Sequence, residues 1–265
     1  MSDRRPIGVF DSGVGGLTVV RALQKILPEE DIVYFGDTAR VPYGTKSRQT
    51  ITKFSVENVE FLMEKDVKLV VVACNTASSL ALDFLKRCFR VPITGVIEPG
   101  AKAAAASTAG GRVGVIGTHA TVSSRAYEKA IKRINPKISV FAQSCPLFVP
   151  LAEEGWLKKS VTADIASVYL APLKARRIDT LILGCTHYPL LKDVIQAAVG
   201  GNVLLIDSAQ EVAREARVIL DSGSLLNRPG RTGRHHFYVS DEPGRFVTTA
   251  RMFLKRRISC AKRAV

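Results

Sequence analysis

The chain has 265 residues, and its 38 Lys and Arg residues exceed its 24 Asp and Glu residues, which gives a formal net charge of +14. With 46% hydrophobic and 23% charged residues it has enough apolar material for a buried core, which excludes a disordered basic tail protein or a histone-like arm. No apolar run approaches the roughly 18 residues of a membrane span, and the N-terminal residues lack the apolar stretch of a signal peptide, so we expect a cytoplasmic globular protein.

Short runs of apolar and β-branched residues recur along the chain, and we interpret each run as a buried strand. Residues with helical spacing separate these runs, for example Leu17, Val20, Leu23 and Leu27 after the first one. Strands that alternate with helices predict parallel sheets covered by helices on both faces, with ligands bound beyond the carboxyl ends of the strands. The eight predicted strands are Ile7–Phe10, Ile32–Phe35, Leu69–Ala73, Ile93–Val96, Val113–Ile116, Ile138–Phe141, Thr180–Leu183 and Val203–Ile206.

The sequence contains a weak internal duplication. Ile7–Ser12 is similar to Val113–Thr118, and Val71–Thr76 is similar to Ile182–His187, with comparable spacing in the two halves. Chance similarity is the alternative, because the apolar strands of parallel sheets resemble one another in composition. The duplication predicts two similar α/β halves, each with one cysteine at an equivalent strand end.

The order of the segments predicts two domains. Pro99-Gly100 follows a predicted strand and precedes an alanine-rich helix at Ala101–Ala106, so we place a boundary there. The C-terminal segment contains a helix, a strand at His236–Val239 and a last helix, and it is too short to form a third domain. We therefore predict an α/β fold of two pseudo-symmetric doubly wound parallel-sheet domains, with the active site in the cleft between them. The first domain is predicted to comprise residues 1–98 plus 208–265, and the second residues 99–207.

Five widely spaced cysteines without a Cys-x-x-Cys pair disfavour both a disulfide framework and a zinc knuckle. Cys74 and Cys185 each end a predicted strand and precede polar residues that suit a helix N-terminus, Asn75-Thr76 and Thr186-His187. The positive end of a helix would lower the pKa of a thiol and bind a substrate carboxylate. The alternative is that both cysteines are small buried hydrophobic residues.

Two strand-end thiols in facing halves would approach a ligand from opposite sides. One thiol would remove a proton and the other deliver one, which inverts a stereocentre next to a carboxylate without a cofactor. Asp11 ends the first strand and is the candidate neighbour of the first thiol. His187 is the candidate neighbour of the second, with Glu153 or Glu154 steadying its imidazole. No second pair at ligand spacing accompanies Cys185 and His187, so we expect no metal site.

A glycine-rich segment, Gly13–Gly16, follows Asp11 and Ser12. A cap on a tight turn between strand and helix is the alternative to a functional role for these two residues. Thr18 occupies the third glycine position of a dinucleotide-binding motif, and the Gly-Lys-Ser/Thr of a P-loop is missing. The segment is therefore not a good phosphate-binding motif.

A second loop, Gly36–Gly44, is rich in turn-forming residues and also follows a predicted strand. It is long enough to lean over the cleft, where the Tyr43 hydroxyl and the Gly44 N–H would contact a polar ligand. A plain surface loop is the alternative.

Several motifs together resemble bacterial glutamate racemases of the aspartate/glutamate racemase superfamily over nearly the whole chain. The matching motifs are Gly8–Gly16, Gly36-Asp37-Thr38 with Pro42-Tyr43-Gly44, Ala73–Ala77, Pro146–Pro150 leading to Glu153, and Gly184–Pro189. The resemblance implies a cofactor-independent interconversion of L- and D-glutamate, with D-glutamate supplying peptidoglycan synthesis. It also implies the same two-domain layout and is compatible with a homodimer.

The resemblance also implies roles for individual residues. Cys74 and Cys185 would be the two proton donors and acceptors, and Asp11, Glu153 and His187 would assist them. The adjacent Glu154 leaves the choice of carboxylate open. Substrate would be bound by Asp11, Ser12, Pro42, Tyr43, Gly44, Asn75, Thr76, Thr186 and His187.

The strongly basic C-terminal end matches no motif of that family. Seven Lys or Arg residues and no acidic residue lie between Arg245 and Val265. A nucleic-acid-binding protein is therefore one alternative, but a solvated helix face is favoured because no aromatic stacking platform accompanies the charge. A racemase for aspartate or another amino acid is the second alternative, since the residues that measure side-chain length cannot be identified in the sequence.

Overall fold

The computed structural model of the protein describes residues 3–258 and 260–264, so the predicted domain ends at residues 1 and 265 lie outside the described chain. Ten strands of this part of the chain form two sheets in which every pair is parallel, as predicted. The first sheet contains β1 (Ile7–Asp11), β2 (Ile32–Gly36), β3 (Leu69–Val72), β4 (Ile93–Gly95), β9 (His235–Val239) and β10 (Lys262–Arg263), and the second contains β5 (Arg112–Gly117), β6 (Ser139–Ser144), β7 (Thr180–Gly184) and β8 (Leu204–Asp207).

The two sheets repeat one strand order. Four strands of the first sheet follow the order β2-β1-β3-β4, and the second sheet follows the order β6-β5-β7-β8. The predicted pseudo-symmetry is therefore present in the described residues. The first sheet is extended beyond β2 by β9 and then by β10. The sequence pattern predicted β9 but not the two-residue strand β10.

Helices cover both faces of the sheets. Val9 and Val71 pack into one apolar cluster, while their neighbours Phe10 and Val72 point to the opposite face and pack into another. The first cluster also includes Val115 of the second sheet, so the two halves share a continuous core. The helices are α1 (Leu17–Ile26), α2 (Arg48–Met63), α3 (Asn75–Leu80), α4 (Leu82–Cys88), α5 (Ile97–Ser107), α6 (His119–Ser123), α7 (Ala126–Ile134), α8 (Phe148–Glu153), α9 (Ser160–Ala175), α10 (Lys192–Val199), α11 (Ser208–Ser222) and α12 (Pro243–Leu254).

The alanine-rich helix begins earlier than the sequence pattern indicated. Helix α5 starts at Ile97, and Pro99 and Gly100 lie in its first turn. Proline is tolerated there because the first N–H groups of a helix have no partner within it. None of the described helices is both long enough and apolar enough to cross a membrane.

The C-terminal segment packs against the first sheet. Strand β9 pairs with β2 along all five residues. Just before the N-terminal ends of β3 and β2, Lys68 and Glu30 form a buried ion pair with 2.6 Å between Nζ and Oε2. Lys68 Nζ also donates to the Leu225 carbonyl at 2.7 Å, and the Asn227 N–H donates to Glu30 Oε1 at 2.7 Å. These bonds hold the returning segment in place, while the exact domain boundaries stay a prediction.

Candidate active site

A cavity of about 360 Å³ lies where the carboxyl ends of the two sheets meet. Strand register aligns Asp11 with Gly36 in the first sheet and Gly117 with Gly184 in the second. Residues that follow these strand ends therefore collect at one place from both halves of the chain. Every predicted site residue except Asp11 lines the cavity: Ser12, Pro42, Tyr43, Gly44, Cys74, Asn75, Thr76, Glu153, Cys185, Thr186 and His187.

Cys74 lies between the end of β3 and the first turn of α3, as predicted. Its Sγ atom donates to Ser12 Oγ across 3.8 Å. The expected lowering of its pKa is wrong: burial and the nearby Asp11 carboxylate raise the pKa of Cys74 to about 12. The backbone N–H of Ala77 and the Ser12 hydroxyl act in the opposite direction but do not compensate. This thiol is protonated at neutral pH.

Cys185 has a different environment at the matching end of β7. The sequence predicted a helix N-terminus directly after this thiol, but a turn and a short 3₁₀ helix, Tyr188–Leu191, precede α10. The turn brings His187 Nδ1 to 3.8 Å from Cys185 Sγ. On the other side of the ring, His187 Nε2 lies 2.9 Å from Glu153 Oε1. A thiol, an imidazole and a carboxylate thus form one chain of contacts.

The imidazole of His187 is held in its charged form. Burial opposes the charge, but contacts with Cys185 and Glu153 outweigh it and raise the pKa of His187 to about 10. The hydrogen bond from His187 in turn lowers the pKa of Glu153 against the effect of burial. Glu154 is exposed beyond the last residue of α8. The geometry therefore selects Glu153 as the carboxylate that contacts His187.

Asp11 lies fully buried at the end of β1, behind the residues that line the cavity. Its Oδ2 atom accepts the Gly13 N–H at 3.1 Å, and its Oδ1 atom accepts the Thr186 hydroxyl at 3.4 Å. Burial raises the pKa of Asp11 even though these bonds favour the carboxylate. Asp11 thus connects the first strand end with the segment that follows Cys185.

The loop before α2 forms one wall of the cavity with Pro42, Tyr43 and Gly44. The expectation for the Tyr43 hydroxyl is not met, because that group donates to Asp37 and accepts from Asn58 Nδ2 at 3.1 Å. Burial and the Asp37 charge raise the pKa of Tyr43. The Tyr43 hydroxyl is therefore already hydrogen-bonded within the protein.

Polar groups from both halves surround the thiols. Asn75 Oδ1 accepts the Tyr127 hydroxyl at 2.7 Å, which leaves Asn75 Nδ2 buried without a partner among the described residues. Thr76 Oγ1 lies 2.9 Å from Thr118 Oγ1. Sequence reasoning did not select Thr118, although the internal duplication aligns it with Ser12. Val149 also lines the cavity and belongs to the Pro146–Pro150 motif, although it was not selected as a site residue, and His119 lines the cavity without a comparable signal.

The other expectations concern metal ions and the basic C-terminal end. Within residues 3–258 and 260–264, no three His, Cys, Asp or Glu side chains come together as metal ligands. None of the basic residues from Arg245 onward is among those that line the cavity. Those residues are exposed: Arg245, Arg251, Lys255, Arg256, Arg257, Lys262 and Arg263.

Comparisons with known proteins agree with this geometry. The sequence model of the Asp/Glu/hydantoin racemase family matches residues 8–216. A glutamate racemase from Geobacter metallireducens is 56% identical over 94% of this chain and 93% of its own length. The crystal structure of glutamate racemase isoform RacE1 from Bacillus anthracis has a TM-score of 0.95 at 39% identity, with 99% of this chain and 98% of that chain covered. A Francisella tularensis glutamate racemase in complex with D-glutamate has a TM-score of 0.92 at 41% identity, with the same shares covered.

Proposed function

The chain belongs to the Asp/Glu/hydantoin racemase family and is an amino-acid racemase, and we propose that it interconverts L- and D-glutamate. The proposed reaction uses no cofactor, takes place in the cytoplasm and supplies D-glutamate for peptidoglycan synthesis. Glutamate is supported as the substrate because the similar Geobacter protein is named a glutamate racemase and the similar Francisella structure contains D-glutamate.

Cys74 and Cys185 line the same cavity from equivalent ends of the two sheets, and this observation carries the proposal. Inversion at Cα requires that a proton leave one face of the carbon and that another arrive on the opposite face. Two thiols held by two different sheets meet that requirement without either side chain having to move around the substrate. A single acid/base group in one half would not.

The reaction proceeds in two proton transfers. In one direction, a thiolate at Cys185 removes the Cα proton and becomes a thiol, and the electron pair stays on the substrate as a carbanion conjugated with its carboxylate. The neutral thiol of Cys74 then donates its proton to the opposite face and becomes a thiolate. In the other direction, Cys74 is the base and Cys185 the acid. The cationic imidazole of His187 stabilises negative charge on Cys185 Sγ whenever that sulfur is deprotonated.

Binding groups surround the thiols on both sides. The free Nδ2 donor of Asn75 is suited to a substrate carboxylate oxygen, because an unpaired buried donor gains a full hydrogen bond on binding. Hydroxyls of Ser12, Thr76 and Thr186 supply further polar contacts at the cavity wall. The buried carboxyl of Asp11, whose charge acts on Cys74, assists this thiol when it has to act as the base.

Incubation of the purified protein with L-glutamate in heavy water tests the proposal. We expect D-glutamate that carries deuterium at Cα, and a loss of at least about a hundredfold in turnover for Cys74→Ser and for Cys185→Ser. Cys88→Ser is the matched control, because that cysteine is exposed. Full activity of either active-site variant would contradict the mechanism, and faster turnover of aspartate than of glutamate would contradict the substrate.

A further inference from the structure

The glycine-rich segment Gly13–Gly16 has a role in this structure that its sequence did not reveal. It connects β1 to α1 and lies against the other half of the molecule rather than at a surface. The Tyr34 hydroxyl donates to the Gly13 carbonyl at 2.6 Å. This hydrogen bond fixes the position of the segment relative to the first sheet.

Gly15 lies in direct contact with the segment that carries the second thiol. A Cβ atom added at Gly15 would lie 2.5 Å from both Cε1 and Nδ1 of His187, and closer still to the Thr186 hydroxyl. The φ angle of Gly15 is not in the left-handed region, so alanine is compatible with the local backbone. Glycine is therefore needed at position 15 because the side chains of His187 and Thr186 occupy the space that a Cβ atom would take.

Thr18, in the first turn of α1, fixes the same segment by a hydrogen bond. Its hydroxyl lies 2.9 Å from the Gly15 carbonyl and 3.0 Å from the Thr186 carbonyl, and its single hydrogen is shared between them. The bond joins two residues far apart in the chain and holds the backbone next to His187. A glycine at this position, as in a dinucleotide-binding motif, would lack this contact.

Phe253, near the end of α12, contacts the His187 ring. The ring centroids are 5.4 Å apart and the ring planes meet at 87°, an edge-to-face arrangement. Phe253 is fully buried, and its carbonyl accepts a hydrogen bond from Arg21 Nη1 of α1 at 3.0 Å. The end of α12 is thereby fixed to the helix that begins at the glycine-rich segment.

We propose that Gly15, Thr18 and Phe253 form a socket that positions His187 beside Cys185. The proton transfer at Cys185 then depends on three residues of the elements packed around the first sheet, although the thiol and the imidazole follow a strand of the second. This inference deepens the proposed function and rests on it. The three residues are positioning residues, since they act through His187 and none of them is among the described residues that line the cavity.

Nuclear magnetic resonance of histidine-labelled protein tests the socket directly. The chain has four histidines, and a His187→Gln spectrum assigns the relevant signal. In Gly15→Ala we expect the pKa of His187 to fall from about 10 toward its ordinary value of 6.5, because the displaced ring loses contact with Cys185 and Glu153. Turnover should fall by about tenfold to a hundredfold, since a displacement of about 1 Å is enough for such a loss. Gly244→Ala is the control, because a Cβ there meets nothing within 4 Å.

The paired variants Thr18→Ser and Thr18→Val separate positioning from folding. Serine keeps the hydroxyl and should keep both the His187 titration and the turnover. Valine removes the hydrogen bond and should lower kcat with little change in KM, because Thr18 does not line the cavity. Phe253→Leu should lower kcat as Thr18→Val does. Phe61→Leu, which removes an aromatic contact with Phe35 away from His187, should leave kcat unchanged.

The possible outcomes are distinct. If folded Gly15→Ala, Thr18→Val and Phe253→Leu all keep the wild-type titration of His187, the socket is wrong. If Gly15→Ala does not fold, the Thr18 pair and Phe253→Leu decide the question. If the wild-type protein fails to racemise glutamate but the variants shift the His187 titration, the proposed function is wrong and the socket stands.

Discussion

Cys74 and Cys185 occupy equivalent ends of β3 and β7, yet their side-chain surroundings differ in charge. Around Cys74 lie the Ser12 hydroxyl and the buried carboxyl of Asp11, and the pKa of the thiol is raised to about 12. Around Cys185 lies an imidazole whose pKa is raised to about 10. One environment thus favours a neutral sulfur, and the other provides a positive charge beside the sulfur.

The two halves of the duplicated fold share the backbone position of the cysteine but not the groups that surround its thiol. Backbone topology places a cysteine at the same point in each sheet, but the neighbouring acid/base group comes from different places. In the first half it comes from the adjacent strand, whereas in the second it comes from the turn after the thiol and from Glu153 on α8. Unequal surroundings suit the proposed reaction, because one thiol has to give a proton while the other takes one.

Removal of the cation beside Cys185 should have the largest effect. His187→Asn keeps a polar side chain but removes the positive charge beside Cys185 Sγ, so we expect kcat to fall by about a hundredfold to ten-thousandfold. Steady-state rates in both directions measure the change. His236→Asn, at an exposed position of β9, is the control. A loss below about twofold would show that the imidazole is not needed.

Removal of the charge beside Cys74 should have a smaller effect on turnover and a direct effect on the thiol. The Asp11 carboxylate raises the pKa of Cys74, so Asp11→Asn should lower that pKa below about 12. The rate of alkylation at Cys74, followed by peptide mass spectrometry, should therefore rise at lower pH than in the wild type. We expect kcat to fall by about tenfold to a hundredfold. An unchanged alkylation profile, equal to that of exposed Asp83→Asn, would contradict this role.

The carboxylate that contacts His187 should contribute least. Glu153 raises the pKa of His187, so in Glu153→Gln the imidazole loses its proton at a lower pH. Activity that depends on the charged ring is present below that pKa and lost above it, and its alkaline limit should therefore move down from about pH 10. We expect about a tenfold loss of kcat at pH 8. Glu154→Gln should match the wild type, and equal shifts in the two variants would refute the choice of Glu153.

Sequence patterns predicted the features that depend on residues close together in the sequence. The eight strands and the positions of Cys74 and Cys185 at strand ends follow from apolar runs and the polar residues after them. The choice between Glu153 and Glu154 was not accessible, because it depends on the direction in which the last turn of α8 points. The same holds for Thr118, which reaches the cavity only when the second sheet faces the first.

Electrostatic properties were the hardest to predict. A strand end before a helix indicated a lowered pKa for Cys74, but the depth of the site removes more solvation from a thiolate than the helix N-terminus returns. The sequence suggested a polar ligand as the partner of the Tyr43 hydroxyl, but in the folded chain this hydroxyl is hydrogen-bonded to Asp37 and Asn58. Both cases depend on contacts between residues that only tertiary structure brings together.

The pairing of β9 with β2 has a consequence for the order in which the chain acquires its structure during synthesis. The four strands of the second sheet are contiguous in sequence, so that sheet can be completed before the C-terminal segment leaves the ribosome. The first sheet has to wait, with the edge of β2 uncovered, until residues 235–239 have been translated. An uncovered edge strand is a place where chains aggregate. The half of the molecule that is made first is therefore finished last, and its unpaired strand edge stays exposed until the last part of the chain has been made.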